Sequence, residues 1–397
     1  MTKDLYVLEG ARTAMAEYSG TPGFGLFKDI TAIDLCAAAA KEALARAGAD
    51  PSSIDHVIVG NALQTSKDAI YGARHVGLKA GVPETTPALT VNRLCGSGLQ
   101  SIVSGSQQIL LGEAETVLAA GMENMSQAPH VVRGARTGLK FTQQIDFEDL
   151  LAVSLFDPYC GCSMAGTAEN LVKRFGITRE EQDEFAYRSH TLGTQAVREG
   201  TFGAEIVPVT VKKGRKEIEV KTDDHIKPDT SLEALAKLRS AFGKEGSVTA
   251  GNASGIVDGA AAVVVSAHAG NGKKPIGKVI AWGIAGVKPS EMGIGPAVAI
   301  PKALERAGLK LDDVDLFEIN EAFAGQYLAV EKDLGLDRDK VNVNGGAIAL
   351  GHPLAATGTR LALTLLYTLR SRKKKIGVAS ACIGGGQGIA VVFESVA

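Results

Sequence analysis

The chain lacks an excess of either charge, a long apolar run and a full complement of cysteine, and each absence excludes something. A net charge of −2 over 397 residues gives no reason to expect nucleic acid or an anionic membrane as partner. The longest apolar runs, such as Ala260 to Val265, are far too short to span a bilayer. Five cysteines are few and odd in number, which argues against a disulfide framework and for reduced thiols. The opening Met1-Thr2-Lys3-Asp4-Leu5-Tyr6 reads as the approach to a strand and shows no secretory or transit pattern, so a cytoplasmic location is the default expectation. What is present, 45% apolar and 22% charged residues, is the profile of a soluble globular protein of two or three domains.

The most informative positive feature is an internal repeat. Residues 43–63 and 303–323 share Ala43, Leu44, Arg46, Ala47, Gly48, Asp55 and Ala62 without gaps, at an offset of 260. Both copies read as a helix stopped by glycine, a polar loop and a strand. At the same offset, Gly98 and its helix match Gly358 and its helix, and Val117–Ala120 matches Gly377–Ser380. The second copy carries extra residues around Gly345–Pro353, which bring in His352. Residues 122–246 have no counterpart in the second half. They hold a capping box at Thr178 and Glu181, and a basic hairpin between Val209 and Val220. The expected architecture is therefore α/β: two similar halves in a layered αβαβα arrangement, with an inserted loop domain. Residues 1–121, completed by 247–272, form the first half, 122–246 the insert and 273–397 the second half.

Two cysteines precede glycine-rich turns, Cys95 in Cys95-Gly96-Ser97-Gly98 and Cys382 in Cys382-Ile383-Gly384-Gly385-Gly386. A thiol in this setting is uncrowded on one side, and the following N–H groups can face what it attacks, as a nucleophile with an oxyanion hole requires. A helix starting at Gly96 would favour the Cys95 thiolate, although an inert cysteine at a tight turn has the same local sequence. His352, between Gly351 and Pro353, sits in a fixed turn; it can be a base for a thiol or a surface histidine. Asn320 ends an apolar strand and can hold an oxygen, or cap the next helix. Gly384 can offer its N–H to a developing oxyanion. Cys36 reads as packing. The Cys160–Cys162 pair has no second pair for zinc, so no metal site is expected. Only nine residues follow Gly388, too few for a dinucleotide-binding loop.

With VNRLCGSGLQS, GMENMSQAP, TAENL, VTAGNASG, NEAFA, GGAIALGHP and CIGGG in this order, the chain resembles the thiolases, which are 3-ketoacyl-CoA and acetoacetyl-CoA acyltransferases. The resemblance implies Cys95 as the acylated nucleophile, His352 as its base and Cys382 as the acid/base for the enolate and the coenzyme A thiol. It also implies Asn320 with His352 in one oxyanion hole, and the N–H groups of Cys95 and Gly384 in the other. Lys227, Thr230 and Ser254 fall where the family contacts coenzyme A, and Met164 and Phe323 where it lines the acyl pocket. Coenzyme A is then a substrate and no further cofactor is implied.

The implied activity is thiolysis of 3-ketoacyl-CoA through an acyl-Cys95 intermediate, reversible as a Claisen condensation. A dedicated acetyl-CoA C-acetyltransferase is an alternative, although Ser163 stands where acetoacetyl-specific members tend to have histidine. A condensing enzyme for carrier-protein thioesters would carry a histidine at Cys382. A non-catalytic module binding coenzyme A or lipid would show a broken motif. The run Ala355-Ala356-Thr357-Gly358 resembles β-subunits of the fatty-acid oxidation complex, and Lys227 replaces a common arginine. A homodimer or tetramer is implied, with a β-oxidation complex as a further partner.

Overall fold

The computed structural model describes residues 3–241, 246–270 and 273–396; the boundary drawn at 272 lies outside the described residues. Its centre is a ten-stranded sheet. Across it run Leu316–Ile319, Ile376–Ile383, Gln387–Glu394, Gly277–Gly286, Tyr6–Arg12, Val257–Ser266, Thr116–Glu123, His56–Asn61 and Ala88–Val91, with Ala16–Glu17 paired off this path to Val257 and Asp258. The two halves meet where Tyr6 and Val7 pair with Lys278 and Gly277. Outward from that seam the pairings repeat. In the first half, Tyr6–Arg12 is antiparallel to Val257–Ser266, and that strand to Thr116–Glu123, which is parallel to His56–Asn61. In the second, Gly277–Gly286, Gln387–Glu394, Ile376–Ile383 and Leu316–Ile319 follow the same sequence of directions.

The repeat extends to single hydrogen bonds. The Asp55 carboxylate accepts from the N–H groups of Glu115 and Thr116, at 2.8 and 2.9 Å. Asp315 accepts from those of Lys375 and Ile376, both at 2.9 Å. The helices Ala32–Ala47 and Gly295–Ala307 end on Gly48 and Gly308, each left-handed, where a side chain would be strained. The halves differ most in one connection. A turn at 384–386 joins Ile376–Ile383 to Gln387–Glu394, whereas residues 124–256 separate the equivalent strands Thr116–Glu123 and Val257–Ser266. That long connection contains the capping box of the helix Arg179–Arg198 and the hairpin Val209–Lys213/Lys216–Val220.

Side-chain alternation along the strands sorts the core into layers. Leu118 and Ala120 face the helices Ala32–Ala47 and Gly72–Ala80, while Val117 and Ala119 face inward. Inward residues of both halves, including Ala379, Ala381 and Val391, enclose the helices Ser97–Leu111 and Leu354–Ser371. Val378, Ala390 and Val392 face the helices Gly295–Ala307 and Ala324–Leu334 on the far side. The αβαβα order follows. Leu354–Ser371 is buried on every side as far as Leu366, as a central helix must be.

The two central helices touch where each has glycine. A Cβ at Gly98 would stand 2.4 Å from the Thr359 nitrogen, and one at Gly358 would stand 2.3 Å from the Leu99 nitrogen. Both obstacles are backbone, so neither can swing away. Gly98→Ala and Gly358→Ala are each expected to destabilise the chain by about 1–3 kcal/mol or more by overpacking. Urea unfolding of both variants against wild type measures this, and unchanged midpoints would show that the crossing is looser than described.

Candidate active site

The chain reaches Cys95 from the strand Ala88–Val91 through a turn held by its own side chains. Asn92 Oδ1 accepts from the Leu94 N–H at 2.9 Å, and Ser97 Oγ donates to the Leu94 carbonyl at 2.7 Å. Leu94 has φ +46°, a left-handed conformation that costs a non-glycine residue roughly 1–3 kcal/mol and is sustained by its surroundings. Cys95 lies in the single 3₁₀ turn Leu94–Gly96 that feeds Ser97–Leu111, so the helix start expected from the sequence is there. Its electrostatic effect is outweighed. Burial pushes the Cys95 thiol up to about 11, against the pull of the Gly384 N–H and of its own N–H, with Glu123 adding to the rise.

His352 follows the short helix Ala347–Leu350 and Gly351, whose φ is +91°. Its N–H donates to the Gly255 carbonyl at 2.9 Å. Nδ1 is 2.6 Å from Thr357 Oγ1, whose own proton goes to the Pro353 carbonyl at 3.1 Å. The hydrogen-bond network therefore assigns the proton to Nδ1, donating to Thr357, and leaves Nε2 with its lone pair. Asn320 Nδ2 lies 3.3 Å from that Nε2. Burial, and then the charge of Arg360, pull the imidazolium down to about 3, so the ring is neutral at neutral pH.

Asn320 lies just past Leu316–Ile319 and donates its N–H to the Ser380 carbonyl at 2.9 Å. It is not a helix cap, since the next helix begins at Ala324 with Phe323 at its N-cap. Its Oδ1 is buried without a protein partner. Cys382 lies inside Ile376–Ile383, fully buried, its thiol pushed well above the usual range by burial and then by Cys95. Met292, Ala322, Met164 and Phe323 pack around it.

A cavity of about 210 Å³ opens on Cys95, with Leu94, Met164, Leu354 and Gly384 in its wall and a rim from 154–158. A Cβ on Gly384 would press on Leu94 Cδ1 at 3.2 Å and Met164 Sδ at 3.3 Å. Lys227 and Thr230 line a different cavity of about 340 Å³, with Tyr187, His190 and Arg198. Lys227 Nζ is 3.1 Å from Glu17 Oε2 and 4.5 Å from the centre of the Phe24 ring. Ser254 lines neither cavity. Its N–H donates to the Ala322 carbonyl at 3.0 Å, and its neighbours are Gly255, which holds His352, and Ala253, which bridges to Phe323.

Three supporting residues escaped sequence reasoning. Thr357 stood out there only as a departure from the family, yet it orients the imidazole. Glu321 is buried, and its carboxylate accepts from Ser189 Oγ at 2.7 Å, Asn342 Nδ2 at 2.8 Å and the Ile348 N–H at 3.1 Å, fixing the loop that carries His352. Glu123 accepts from Asn61 Nδ2 and from the N–H groups of Ala62, Leu63 and Ala355, tying the first half to the start of Leu354–Ser371. Burial pushes it up to about 7. For Glu123 the available signal was a carboxylate at the end of an otherwise apolar strand; Glu321 lies two residues past Leu316–Ile319, beside Asn320. Cys36 is buried in its helix, and Cys160 and Cys162 are free thiols. Among the described residues no cluster of His, Cys, Asp or Glu could hold a metal.

Residues 5–269 match the family description "Thiolase, N-terminal domain", and residues 273–395 match "Thiolase, C-terminal domain". The human mitochondrial 3-ketoacyl-CoA thiolase is 50% identical, over 100% of both chains. The Escherichia coli strain K12 acetyl-CoA acetyltransferase is 46% identical, over 99% of both. A crystal structure of the human mitochondrial enzyme in complex with CoA superposes with a TM-score of 0.95 at 50% identity, covering 100% of this chain and 99% of that one. The expected cytoplasmic location does not stand, because relatives matched along their whole length are mitochondrial enzymes. Compartment is set by an address that a receptor reads, and neither composition nor fold carries it.

Two outcomes follow from the geometry. A thiol near 11 is only about one part in 10⁴ thiolate at pH 7, so alkylation of Cys95 by iodoacetamide should keep accelerating beyond pH 9; a plateau between pH 7 and 8 would contradict the neutral resting state. Thr357→Val leaves the His352 Nδ1–H buried without an acceptor and should lower stability by about 1–3 kcal/mol in urea unfolding.

Proposed function

The chain belongs to the thiolase family, and from that premise we propose how its residues divide the reaction. The enzyme is a coenzyme A-dependent acyltransferase that thiolyses 3-ketoacyl-CoA to acetyl-CoA and a shortened acyl-CoA, and the reverse is a Claisen condensation. Coenzyme A enters as a substrate.

In this reading Cys95 Sγ attacks the 3-keto carbon while His352 Nε2 takes its proton. The gap between about 11 for the thiol and about 3 for the imidazolium makes a resting ion pair unfavourable. Proton transfer therefore accompanies carbon–sulfur bond formation instead of preceding it. The N–H groups of Cys95 and Gly384 receive the tetrahedral oxyanion. When the C2–C3 bond breaks, the electron pair becomes an acetyl-CoA enolate whose charge lies on the thioester oxygen. Asn320 and His352 hold that oxygen, and Cys382 protonates the carbon. Cys382 then takes the proton of an incoming coenzyme A thiol, which attacks the acyl group on Cys95; the acyl–sulfur bond breaks and His352 returns its proton to the Cys95 sulfur. One observation carries the assignment: the Cys382 thiol is raised by burial and then by Cys95 beside it, the Gly384 N–H lies on Cys95, and Asn320 Nδ2 reaches the Nε2 of a neutral His352 at 3.3 Å.

Lys227, Thr230 and Ser254 would contact coenzyme A, and Met164 and Phe323 would border the acyl group. The cavity at Cys95, walled by Leu94 and Leu354 and rimmed by Leu155 and Phe156, is larger than a methyl group needs. That favours 3-ketoacyl chains over a range of lengths above a dedicated acetyl-CoA C-acetyltransferase. Residues 1–121 with 247–272, 122–246 and 273–397 would be the two halves and their insert. We infer a homodimer or tetramer. The outermost strand, Ala88–Val91, has one pairing partner in the sheet, and Leu89, Ile70 and Tyr71 are exposed beside it, a combination that natural edges avoid unless covered. The run Ala355–Gly358 supports a partner in fatty-acid β-oxidation as a further proposal.

Cys95→Ala should give no acetyl adduct by mass spectrometry after incubation with acetyl-CoA, and turnover should fall on the order of 10⁴-fold or more. Cys382→Ala should still form the adduct while carbon–carbon bond exchange stops. Normal turnover by Cys95→Ala would end this reading. Thiolysis across 3-ketoacyl-CoA substrates from four carbons upward measures the length preference.

A further inference from the structure

The cavity at Cys95 is lined mostly by apolar groups, with Ser154 and Asp157 as its polar side chains besides Cys95. Among the eleven described residues that line it, Asp157 alone carries a charge. No salt bridge involving Asp157 occurs among the described residues. Its two oxygens are used unequally. Oδ1 accepts the Tyr159 N–H at 2.9 Å, closing a turn, whereas Oδ2 is shielded from solvent without any hydrogen-bond partner. The residue cannot easily swing away. Phe156–Asp157 pairs with Cys162–Ser163, and the Asp157 carbonyl accepts the Gly161 N–H at 2.9 Å. Ser163 in turn caps the helix that begins at Met164, on the cavity wall. Within the turn the carboxylate has the Tyr159 N–H and the neighbouring Cys160 thiol, which burial and then the carboxylate raise, but no cation among the described residues.

We propose that Asp157 is a specificity-determining residue that restricts the enzyme to 3-ketoacyl groups with uncharged tails and rejects those ending in a carboxylate. The inference rests on the reading of this cavity as the acyl site. A tail carboxylate entering it would leave water, meet no cation in the wall and face a like charge held in place. Like charges in a poorly solvated space repel far more strongly than in bulk water. An uncharged tail meets Leu94, Leu155, Phe156 and Leu354 and gains from the apolar surface it covers. Discrimination of this kind works by penalising the wrong substrate and not by gripping the right one.

The experiment compares kcat/KM for 3-oxohexanoyl-CoA, for 3-oxoadipyl-CoA (the same chain ending in a carboxylate) and for the monomethyl ester of the latter. Wild type should favour 3-oxohexanoyl-CoA over the diacid by roughly 10²-fold or more and accept the neutral ester within about tenfold. Asp157→Asn keeps an oxygen for the Tyr159 N–H and removes the charge; it should narrow the preference at least tenfold by raising kcat/KM for the diacid. A preference unchanged in Asp157→Asn, or an ester rejected by wild type as strongly as the acid, would overturn the inference. So would equal use of acid and hexanoyl substrates by wild type. Failure to cleave 3-oxohexanoyl-CoA itself, despite acetylation of Cys95, would instead remove the acyl-site reading on which the inference stands.

Discussion

The contact between Ser97–Leu111 and Leu354–Ser371 governs the rest of the molecule. Each helix begins at the site: Cys95 lies in the turn before one, and His352 two residues before the other. Gly98 and Gly358 bring the two backbones together without a side chain between them. The separation of thiol and imidazole is thus set by the closest packing two helices can reach, inside a layer enclosed by both halves of the sheet. Duplication of the fold makes this possible, because a related glycine occupies each side of the crossing.

Burial has an equally general effect on the chemistry. Every ionisable group at the centre is driven toward its neutral form: the two thiols upward, the imidazole downward, Glu123 upward. In the reading proposed above, charge would develop during bond making beside the N–H groups of Gly384 and Cys95 and the Asn320 amide, which the fold already holds in place. Glu321 and Glu123 contribute at one remove, because each gathers backbone N–H groups from loops that would otherwise be free to shift.

Much of this was legible in the sequence where the determinant is local. The offset of 260 anticipated the matched strands, the glycine stops after Ala47 and Ala307, and the equivalence of Asp55 with Asp315. The Thr178–Glu181 box and the Gly214-Arg215 hairpin are short-range chemistry and could be read directly. What could not be read is long-range. Nothing local indicates that Glu123 ends against Ala355, or that Glu321 collects Ser189, Asn342 and Ile348. The helix start at Cys95 is local and legible, but the desolvation that outweighs it is a property of the whole packed neighbourhood. Thr357 was visible as an oddity, and only the fold shows that its hydroxyl is committed to Pro353 and therefore fixes the ring.

The strand Tyr6–Arg12 lies at the seam, pairing with Val257–Ser266 on one side and touching Gly277–Gly286 on the other. Its last residue, Arg12, is buried between Glu205 and Asp223. The sheet partners of Tyr6–Arg12 and the carboxylates around its guanidinium all lie 193 or more residues further along the chain. The strand can therefore take its place only once those distant segments exist, so the seam that joins the two halves is closed by contacts of large sequence separation.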